Sequence, residues 1–190
     1  MISNAVAGAR GQRAWLTMET ESGTIGAGES QDIPVKLNAT DLYGGVYRAG
    51  ITVQSNDPAK QNCTIPVHME VTGVPVIKVI NDSLQFESVY AGYEKELSVT
   101  ILNQGTDILT VDMAFSDSTF ITDTLHVSVG PGEAYDLPVF FQPDTAKSYV
   151  QSLWLISNDP NQDSTLVSLS GIGVNPPVMN VSPDSLHEAL

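Results

Sequence analysis

The sequence predicts an all-β protein built from two tandem β-sandwich domains, and three observations support this prediction. Short apolar segments bounded by Gly, Pro, Asn and Asp recur about every 8 to 12 residues. Helical periodicity is nearly absent. The run SNDP occurs at Ser55–Pro58 and Ser157–Pro160, and DSL occurs at Asp82–Leu84 and Asp184–Leu186. Both second copies begin 102 residues after the first, which indicates a repeat of domain size rather than a solenoid unit.

The strands themselves are predicted from alternation and from the turns that end them. In KELSVTILN, Leu97, Val99 and Ile101 alternate with Ser98 and Thr100, which places the apolar set on a core face. The segments YRAGITVQSNDP and YVQSLWLISNDP each predict a strand that runs into the same turn. There Asn and Asp can bond their own backbone and Pro cannot donate to a ladder, so SNDP ends the strand.

Alignment of the copies divides the chain into three parts. PVIKVINDSL, residues 75–84, aligns without a gap with PVMNVSPDSL, residues 177–186. Residues 74–173 form one complete domain. Residues 1–73 form an incomplete sandwich domain that lacks its opening strands, and its first 14 residues are too rich in Gly and Ala to predict a strand. Residues 174–190 are predicted to be an orphan strand: the first strand of a further repeat or a donor strand.

Composition excludes several classes of partner. The formal net charge is −14, with 8 Lys and Arg against 22 Asp and Glu, so nucleic acid and anionic bilayers would be repelled. No segment reaches the roughly 18 apolar residues of a membrane helix, so no membrane insertion is expected. The single Cys63 permits no intrachain disulfide. We therefore expect a soluble, acidic protein whose partner is another protein.

The sequence offers no catalytic motif, so we predict neither an enzyme nor a bound cofactor. His68, His126 and His187 are scattered and form no known ligand spacing. The one weak metal candidate is a calcium site at Asp159, Asn161 and Asp163, which stand at alternate positions as calcium ligands do. The residues that follow lack the Gly and Glu of a calcium loop, and repeat one reads DPAKQN there. A plain turn is the favoured interpretation.

Turn and packing motifs carry a resemblance to a known family. The second domain has an opening Pro, an Asn-x-Gly turn, a Phe-x-Pro, the SNDP turn and a closing Gly-x-Gly. These are Pro75; Asn103 and Gly105; Phe141 and Pro143; Ser157–Pro160; and Gly171 and Gly173. With these motifs residues 74–190 resemble the ASPM, SPD-2 and hydin (ASH) type of immunoglobulin-like domain, found in bacterial surface and secreted proteins and in cilia. The resemblance implies tandem immunoglobulin-like sandwiches, a structural or interaction role and no shared catalytic residues.

One strand predicts an unusual surface. If Leu153 and Leu155 face the core, Trp154 and Ile156 lie on the opposite face, where repeat one carries Thr52 and Gln54 in place of the apolar pair. Large apolar residues there indicate a covered surface. The covering group is either part of the same domain, which is the favoured alternative, or another subunit.

The chain ends suggest a second interface. Repeat one lacks a first strand, whereas residues 176–190 contain a first strand without a domain. We predict that this segment of one subunit fills the gap in the next and gives head-to-tail filaments. The inserted side chains would be Val178, Met179, Val181 and Leu186. The competing interpretation is a fragment of a longer multidomain chain, because the gap is about 30 residues and the segment supplies fewer.

These observations together predict a non-catalytic structural or adhesive protein at a bacterial cell surface or outside the cell. Its partners are expected to be further copies of itself or neighbouring domains of a longer chain. Two alternatives are an accessory or spacer module of a larger secreted enzyme, such as a peptidase, and a ciliary or centrosomal scaffold domain. Richness in Ser, Thr, Gly and Asn and scarcity of Lys favour the bacterial surface over the ciliary scaffold.

Overall fold

The computed structural model describes residues 2–4, 14–182, 185 and 187, and every regular element in these ranges is a β-strand. This confirms the predicted all-β fold class. No helix in the described ranges is long and apolar enough to cross a membrane. The strands are β1 Ile2–Asn4, β2 Leu16–Met18, β3 Val35–Leu37, β4 Gly45–Gln54, β5 Asn62–Val71, β6 Ile77–Val79, β7 Ser83–Tyr90, β8 Lys95–Asn103, β9 Leu109–Phe115, β10 Phe120–Ile121, β11 His126–Val129, β12 Ala134–Phe141, β13 Ser148–Ser157 and β14 Ser164–Val174.

The chain divides into two compact units. Unit 1 contains the residues up to Pro75 together with Gly105–Ile108, and unit 2 contains Val76–Gln104 and the residues from Leu109 onward. Unit 2 has a four-stranded sheet in the order β10-β12-β8-β6 and a five-stranded sheet in the order β11-β9-β13-β14-β7. All its strand pairs are antiparallel except β14 with β7, which is parallel and contains a register shift. This is the two-sheet arrangement of an immunoglobulin-like sandwich.

The core of unit 2 follows from the alternation seen in the sequence. In β8, Val99 and Ile101 are fully buried, whereas Ser98 is exposed. The rings of Phe86, Phe120 and Phe141 form an aromatic cluster in the middle, and the Phe120 and Phe141 centroids are 4.7 Å apart. Period-two patterning therefore directs one face of each strand inward, and the two inward faces share one core.

The Phe-x-Pro and Gly-x-Gly motifs pack against each other. A Cβ atom added to Gly171 would lie 2.5 Å from Cε1 of Phe141, and one added to Gly173 would lie 2.1 Å from the carbonyl oxygen of Thr145 and 2.9 Å from Cβ of Pro143. No side chain fits at such distances, so β14 must present glycine where the end of β12 and the following loop cross it. The family motifs are thus contact positions.

Unit 1 contains two small sheets, with the order β1-β4-β5 in one and β2-β3 in the other. Its described core contains four buried apolar residues: Trp15, Leu16, Leu42 and Ile51. The alignment of the repeats gives β2, β3, β4 and β5 the places of β10, β12, β13 and β14. Among the described residues of unit 1, no strand takes the places of β6, β7 and β8. That residues 1–73 form a domain without its opening strands stays a prediction.

The start of the chain departs from the prediction. The composition of residues 1–14 predicts no strand, yet Ile2–Asn4 pairs with β4 in the register Ile2 to Val53 and Asn4 to Ile51. The segment occupies the position that β9 holds beside β13 in unit 2. The free edge of β4 offers unpaired N–H and C=O groups, and three residues suffice to pair with them whatever the composition of the flanking segment.

The predicted orphan strand at the other end is not formed where the structure describes it. Residues 175–182 contain no strand. A strand exists through its hydrogen bonds to a neighbour, and in the described part of the chain these residues have no such neighbour. The sequence pattern of a strand is present there without the partner that the pattern requires.

Candidate strand-docking site

The SNDP turn of unit 2 is closed by its own side chains. The Ser157 hydroxyl donates to the carbonyl oxygen of Gln162 at 2.8 Å and accepts from the N–H of Asp159 at 3.2 Å. Oδ1 of Asp159 accepts from the N–H of Asn161 at 2.8 Å. These short-range bonds satisfy the backbone where β13 ends and reverse the chain toward β14.

The SNDP turn of unit 1 has the same geometry. The Ser55 hydroxyl donates to the carbonyl oxygen of Lys60 at 2.9 Å and accepts from the N–H of Asp57 at 3.2 Å. Oδ1 of Asp57 accepts from the N–H of Ala59 at 2.8 Å. The repeated tetrapeptide therefore encodes one rigid turn twice, so the two aspartates can be compared atom by atom.

The two aspartates differ at their second carboxylate oxygen. Oδ2 of Asp159 accepts from the backbone N–H of Ile77 at 2.9 Å, so the turn holds the first strand of unit 2, and Asp159 is only 3% exposed. The hydrogen bonds from the N–H of Asn161 and then of Ile77 hold the pKa of Asp159 below its ordinary value. Asp57 is exposed, and within the described residues its Oδ2 accepts no hydrogen bond and forms no salt bridge.

A cavity lies beside the turn of unit 1. It has a volume of about 380 Å³, its lining includes Ser55, and its apolar wall includes Ile25, Ile33 and Val53. Ile25 is 54% exposed. By the alignment of the repeats, the corresponding wall residues of unit 2 are Val129, Leu137 and Leu155, which are almost completely buried in the same core cluster as Ile77. The wall that unit 2 covers with its opening strands is therefore open in unit 1.

The predicted donor residues are available to a partner. Val178 is 87% exposed, Met179 is 88% exposed and Val181 is 59% exposed. Leu186, the fourth predicted donor, lies outside the described residues. The interface role of these residues stays a prediction. Three large apolar side chains in one short segment still form an exposed patch that burial would stabilise.

The edge of β5 contains a feature that the sequence analysis missed. In unit 2, the N–H of Ser168 on β14 donates to the carbonyl oxygen of Asp82 at 2.9 Å, just before the parallel pairing with β7. The aligned residue on β5 is Pro66, which has no N–H. A strand that docks on unit 1 therefore cannot reproduce this bond, and its main-chain anchor must lie elsewhere. Proline on an unpaired edge also hinders uncontrolled pairing.

Trp154 and Ile156 lie on the outer face of the five-stranded sheet. Trp154 is 45% exposed and Ile156 is 48% exposed, whereas their neighbours Leu153 and Leu155 are fully buried. Trp154 is registered opposite Leu166, which is 42% exposed. The described part of unit 2 leaves both side chains about half exposed. Covering of this face by part of the same domain, the favoured expectation, and by another subunit both stay predictions.

The weak calcium candidate is built as a turn. Both carboxylate oxygens of Asp159 accept backbone N–H groups, whereas Asn161 and Asp163 are exposed. A cation at Asp159 would have to displace these hydrogen bonds, which already satisfy the carboxylate. Among the residues that the structure describes, no three His, Cys, Asp or Glu side chains are grouped to hold a metal ion.

Solved structures with a similar fold come from several sources. An ASH/PapD-like domain of human CEP192 is 13% identical with a TM-score of 0.49, and the match covers 53% of this chain and 87% of that one. A protein of unknown function from Porphyromonas gingivalis W83 is 13% identical with a TM-score of 0.46, and the match covers 90% of this chain and 83% of that one. The E. coli chaperone DraB is 12% identical with a TM-score of 0.41, and the match covers 58% of this chain and 60% of that one.

The sequence comparison identifies the family. No curated protein sequence matches the chain significantly. The family model of the HYDIN/CFA65/VesB-like Ig-like domain matches residues 75–172, which is just over half of the chain and coincides with the strands and the paired glycine and proline motifs of unit 2. This chain therefore belongs to the HYDIN/CFA65/VesB-like family of Ig-like domains.

Proposed function

We propose that this protein is a non-catalytic structural module whose unit 1 accepts a strand from a second copy, so that copies join head to tail. Domains of its family are typically non-catalytic. The observation that carries the proposal is the open wall of unit 1. Its SNDP turn and its β4-β5 pair are formed as in unit 2, but the places of the opening strands are not filled by the described residues.

The chain contains a segment that matches the first part of the gap. Residues 177–186 repeat the pattern of residues 75–84, which include the first strand of unit 2. In unit 2 this pattern buries Ile77 and Leu84 in the core. Removal of apolar surface from water would act in the same way when Met179 and its neighbours enter unit 1 of another copy. The backbone pairing of β6 with β8 in unit 2 has no counterpart there, because no described strand of unit 1 takes the place of β8.

We further propose that the module works outside the cell, at a bacterial surface. Richness in Ser, Thr, Gly and Asn and scarcity of Lys support this location. A net charge of −14 keeps a repetitive assembly soluble and prevents nonspecific adsorption to anionic partners. Fractionation of the source cell, followed by immunodetection, tests the location: protein confined to the cytosolic fraction would contradict it.

The assembly is tested by light scattering after size exclusion, with negative-stain images of the same peak. The intact chain is expected to form head-to-tail polymers of a 20.3 kDa subunit. Deletion of residues 176–190 and the substitution Val181→Asp are each expected to reduce the polymers to monomers, because the deletion removes the donor and the substitution places a charge in an apolar contact.

A matched control separates this effect from a general change in charge. Leu125→Asp alters a residue of unit 2 that is 63% exposed, close to the 59% of Val181, and it is expected to leave polymers intact. Circular dichroism of each variant checks that the strands are retained. If the intact chain is a monomer at every concentration up to about a millimolar, where an association as weak as about 4 kcal/mol would still be visible, the proposal is wrong.

A further inference from the structure

The comparison of the two SNDP turns reveals what the turn of unit 1 lacks. In unit 2, Asp159 uses one carboxylate oxygen to close its own turn and the other to accept the N–H of Ile77, the first residue of β6. In unit 1, Asp57 closes its turn through Oδ1 in the same way. Its Oδ2 is a charged acceptor on this turn, and the preceding turn residues Ser55 and Asn56 line an open cavity that has polar as well as apolar walls.

Among residues 177–186, the residue that corresponds to Ile77 is Met179. The alignment of residues 75–84 with residues 177–186 has no gap, so the assignment does not depend on the placement of an insertion. Asp57 and Met179 stand 102 residues from Asp159 and Ile77 respectively, in step with the SNDP and DSL runs. Asp57 therefore belongs to the copy of the repeat before unit 2 and Met179 to the copy after it, and each holds one of the two positions that Asp159 and Ile77 hold in unit 2.

We propose that Asp57 and the cavity beside it form a strand-recognition site, in which Oδ2 of Asp57 accepts the backbone N–H of Met179 from a second copy. The Met179 side chain then enters the cavity against Ile25, Ile33 and Val53, whose counterparts in unit 2 share one core cluster with Ile77. This inference rests on the proposed strand donation and adds the residue that selects the donor and fixes its register.

Three properties of the site support one fixed register. A charged acceptor forms a stronger hydrogen bond than a neutral one. Because the turn already holds the Asp57 carboxylate in place, little ordering of this group is required when the donor binds. Pro66 removes a competing N–H from the β5 edge, so a shifted register gains little from that edge. The donor segment carries Pro177 and Pro183 on either side of Met179, which lowers the number of N–H groups that can take its place.

The test measures binding of a labelled peptide to the full-length chain. The acceptor is the intact chain with Val181→Asp, which is expected to be monomeric because the substitution disables its own donor segment and leaves unit 1 unchanged. The probe is a fluorescein-labelled peptide of residues 176–190, and fluorescence anisotropy reports its dissociation constant. Adding Asp57→Asn to the acceptor is expected to weaken binding roughly ten- to a hundredfold, because an amide group replaces the charged acceptor.

Two matched controls isolate the hydrogen bond. Asp32→Asn makes the same charge change at another aspartate of unit 1 and is expected to alter the dissociation constant less than twofold. A peptide N-methylated at Met179 lacks the donor N–H. We expect two dissociation constants to be equal: that of the N-methylated peptide with the acceptor that retains Asp57, and that of the unmodified peptide with the Asp57→Asn acceptor. The two changes combined are expected to cost little more than either alone, as for partners in one interaction.

The outcomes separate this inference from the proposed function. If the peptide binds the Asp57 acceptor and the Asp57→Asn acceptor within twofold of each other, strand donation stands and the role of Asp57 is wrong. If the peptide fails to bind either acceptor, both proposals are wrong. The amide resonance of Met179 can also be followed in the monomeric intact chain at low concentration. If it moves on Asp57→Asn substitution, the donor lies in the same chain, and the claim that it comes from a second copy is wrong.

Discussion

Glycine at two positions of β14 allows this strand to pack closely against the end of β12 and the loop that follows it. Gly171 lies under the ring of Phe141, and Gly173 lies against the loop that contains Pro143 and Thr145. Neither glycine has a positive φ, although the register of β14 against β7 shifts between Ser170 and Ile172. Their role is to leave room, so the motif is sensitive to the smallest added side chain.

We expect Gly171→Ala to destabilise unit 2 by about 1 to 3 kcal/mol, because the added methyl group must displace a fully buried ring in a packed core. The free energy of unfolding is measured by urea titration. Ser168→Ala, in the same strand but with an exposed side chain, is the control and should change it by less than about 0.5 kcal/mol. An equal effect of the two substitutions would show that Gly171 is not a contact position.

Asp159 links the pH dependence of stability to the strand-holding turn. Its pKa is lowered in the folded protein by the N–H of Asn161 and then by the N–H of Ile77. A carboxyl group with a lowered folded pKa stabilises the fold above its unfolded pKa, and this contribution is lost as the pH falls through the folded pKa. The ordinary value is 3.8, so the loss occurs below about pH 4.

We expect Asp159→Asn to lower the free energy of unfolding of unit 2 by about 2 kcal/mol at neutral pH, since an amide N–H₂ then faces the N–H of Ile77. The difference from the wild-type chain should shrink as the pH falls from about 5 toward about 2, because the wild-type carboxylate is protonated there. Urea titrations at a series of pH values measure it. A difference that stays constant over this range would mean that the charge of Asp159 contributes nothing.

At the scale of strands, the sequence predicts most of what the structure shows, because alternation and turn chemistry are local. The inward Leu153, the outward Trp154 and the turn after β13 all follow from a few neighbouring residues. The same local rule missed the strand at the start of the chain. Ile2–Asn4 becomes a strand because β4 has a free edge, and a partner distant in sequence does not appear in the composition of the segment.

The candidate site was only half visible in the sequence for the same reason. The repeated SNDP identified the turn, and the repeated PVxxV identified the segment that resembles a first strand. The bond between them, from the N–H of Ile77 to Asp159, joins residues 82 positions apart. The alignment of the repeats already matches Asp57 with Asp159 and Met179 with Ile77. The structure of unit 2 was needed to show that Asp159 and Ile77 are bonded, and so to draw attention to Asp57 and Met179.

At the scale of the molecule, two units with the same turn have very different cores. The described core of unit 2 contains twenty buried apolar residues, and that of unit 1 contains four. Hydrophobic burial is the main favourable term in folding, and it must offset a chain entropy that grows with the number of ordered residues. Unit 1 spans a substantial part of the chain with a small core, so we expect it to be the weaker unit.

The two tryptophans allow this expectation to be measured, since Trp15 is buried in unit 1 and Trp154 lies on β13 of unit 2. In urea, the fluorescence of Trp15, followed in the Trp154→Phe chain, should change at a lower midpoint than that of Trp154, followed in the Trp15→Phe chain. An excess of the peptide of residues 176–190 should raise only the Trp15 midpoint, because a ligand stabilises the unit that binds it. Using the Val181→Asp background keeps the chains monomeric. Coincident midpoints that the peptide moves together would show a single cooperative unit and contradict the division of stability between the two units.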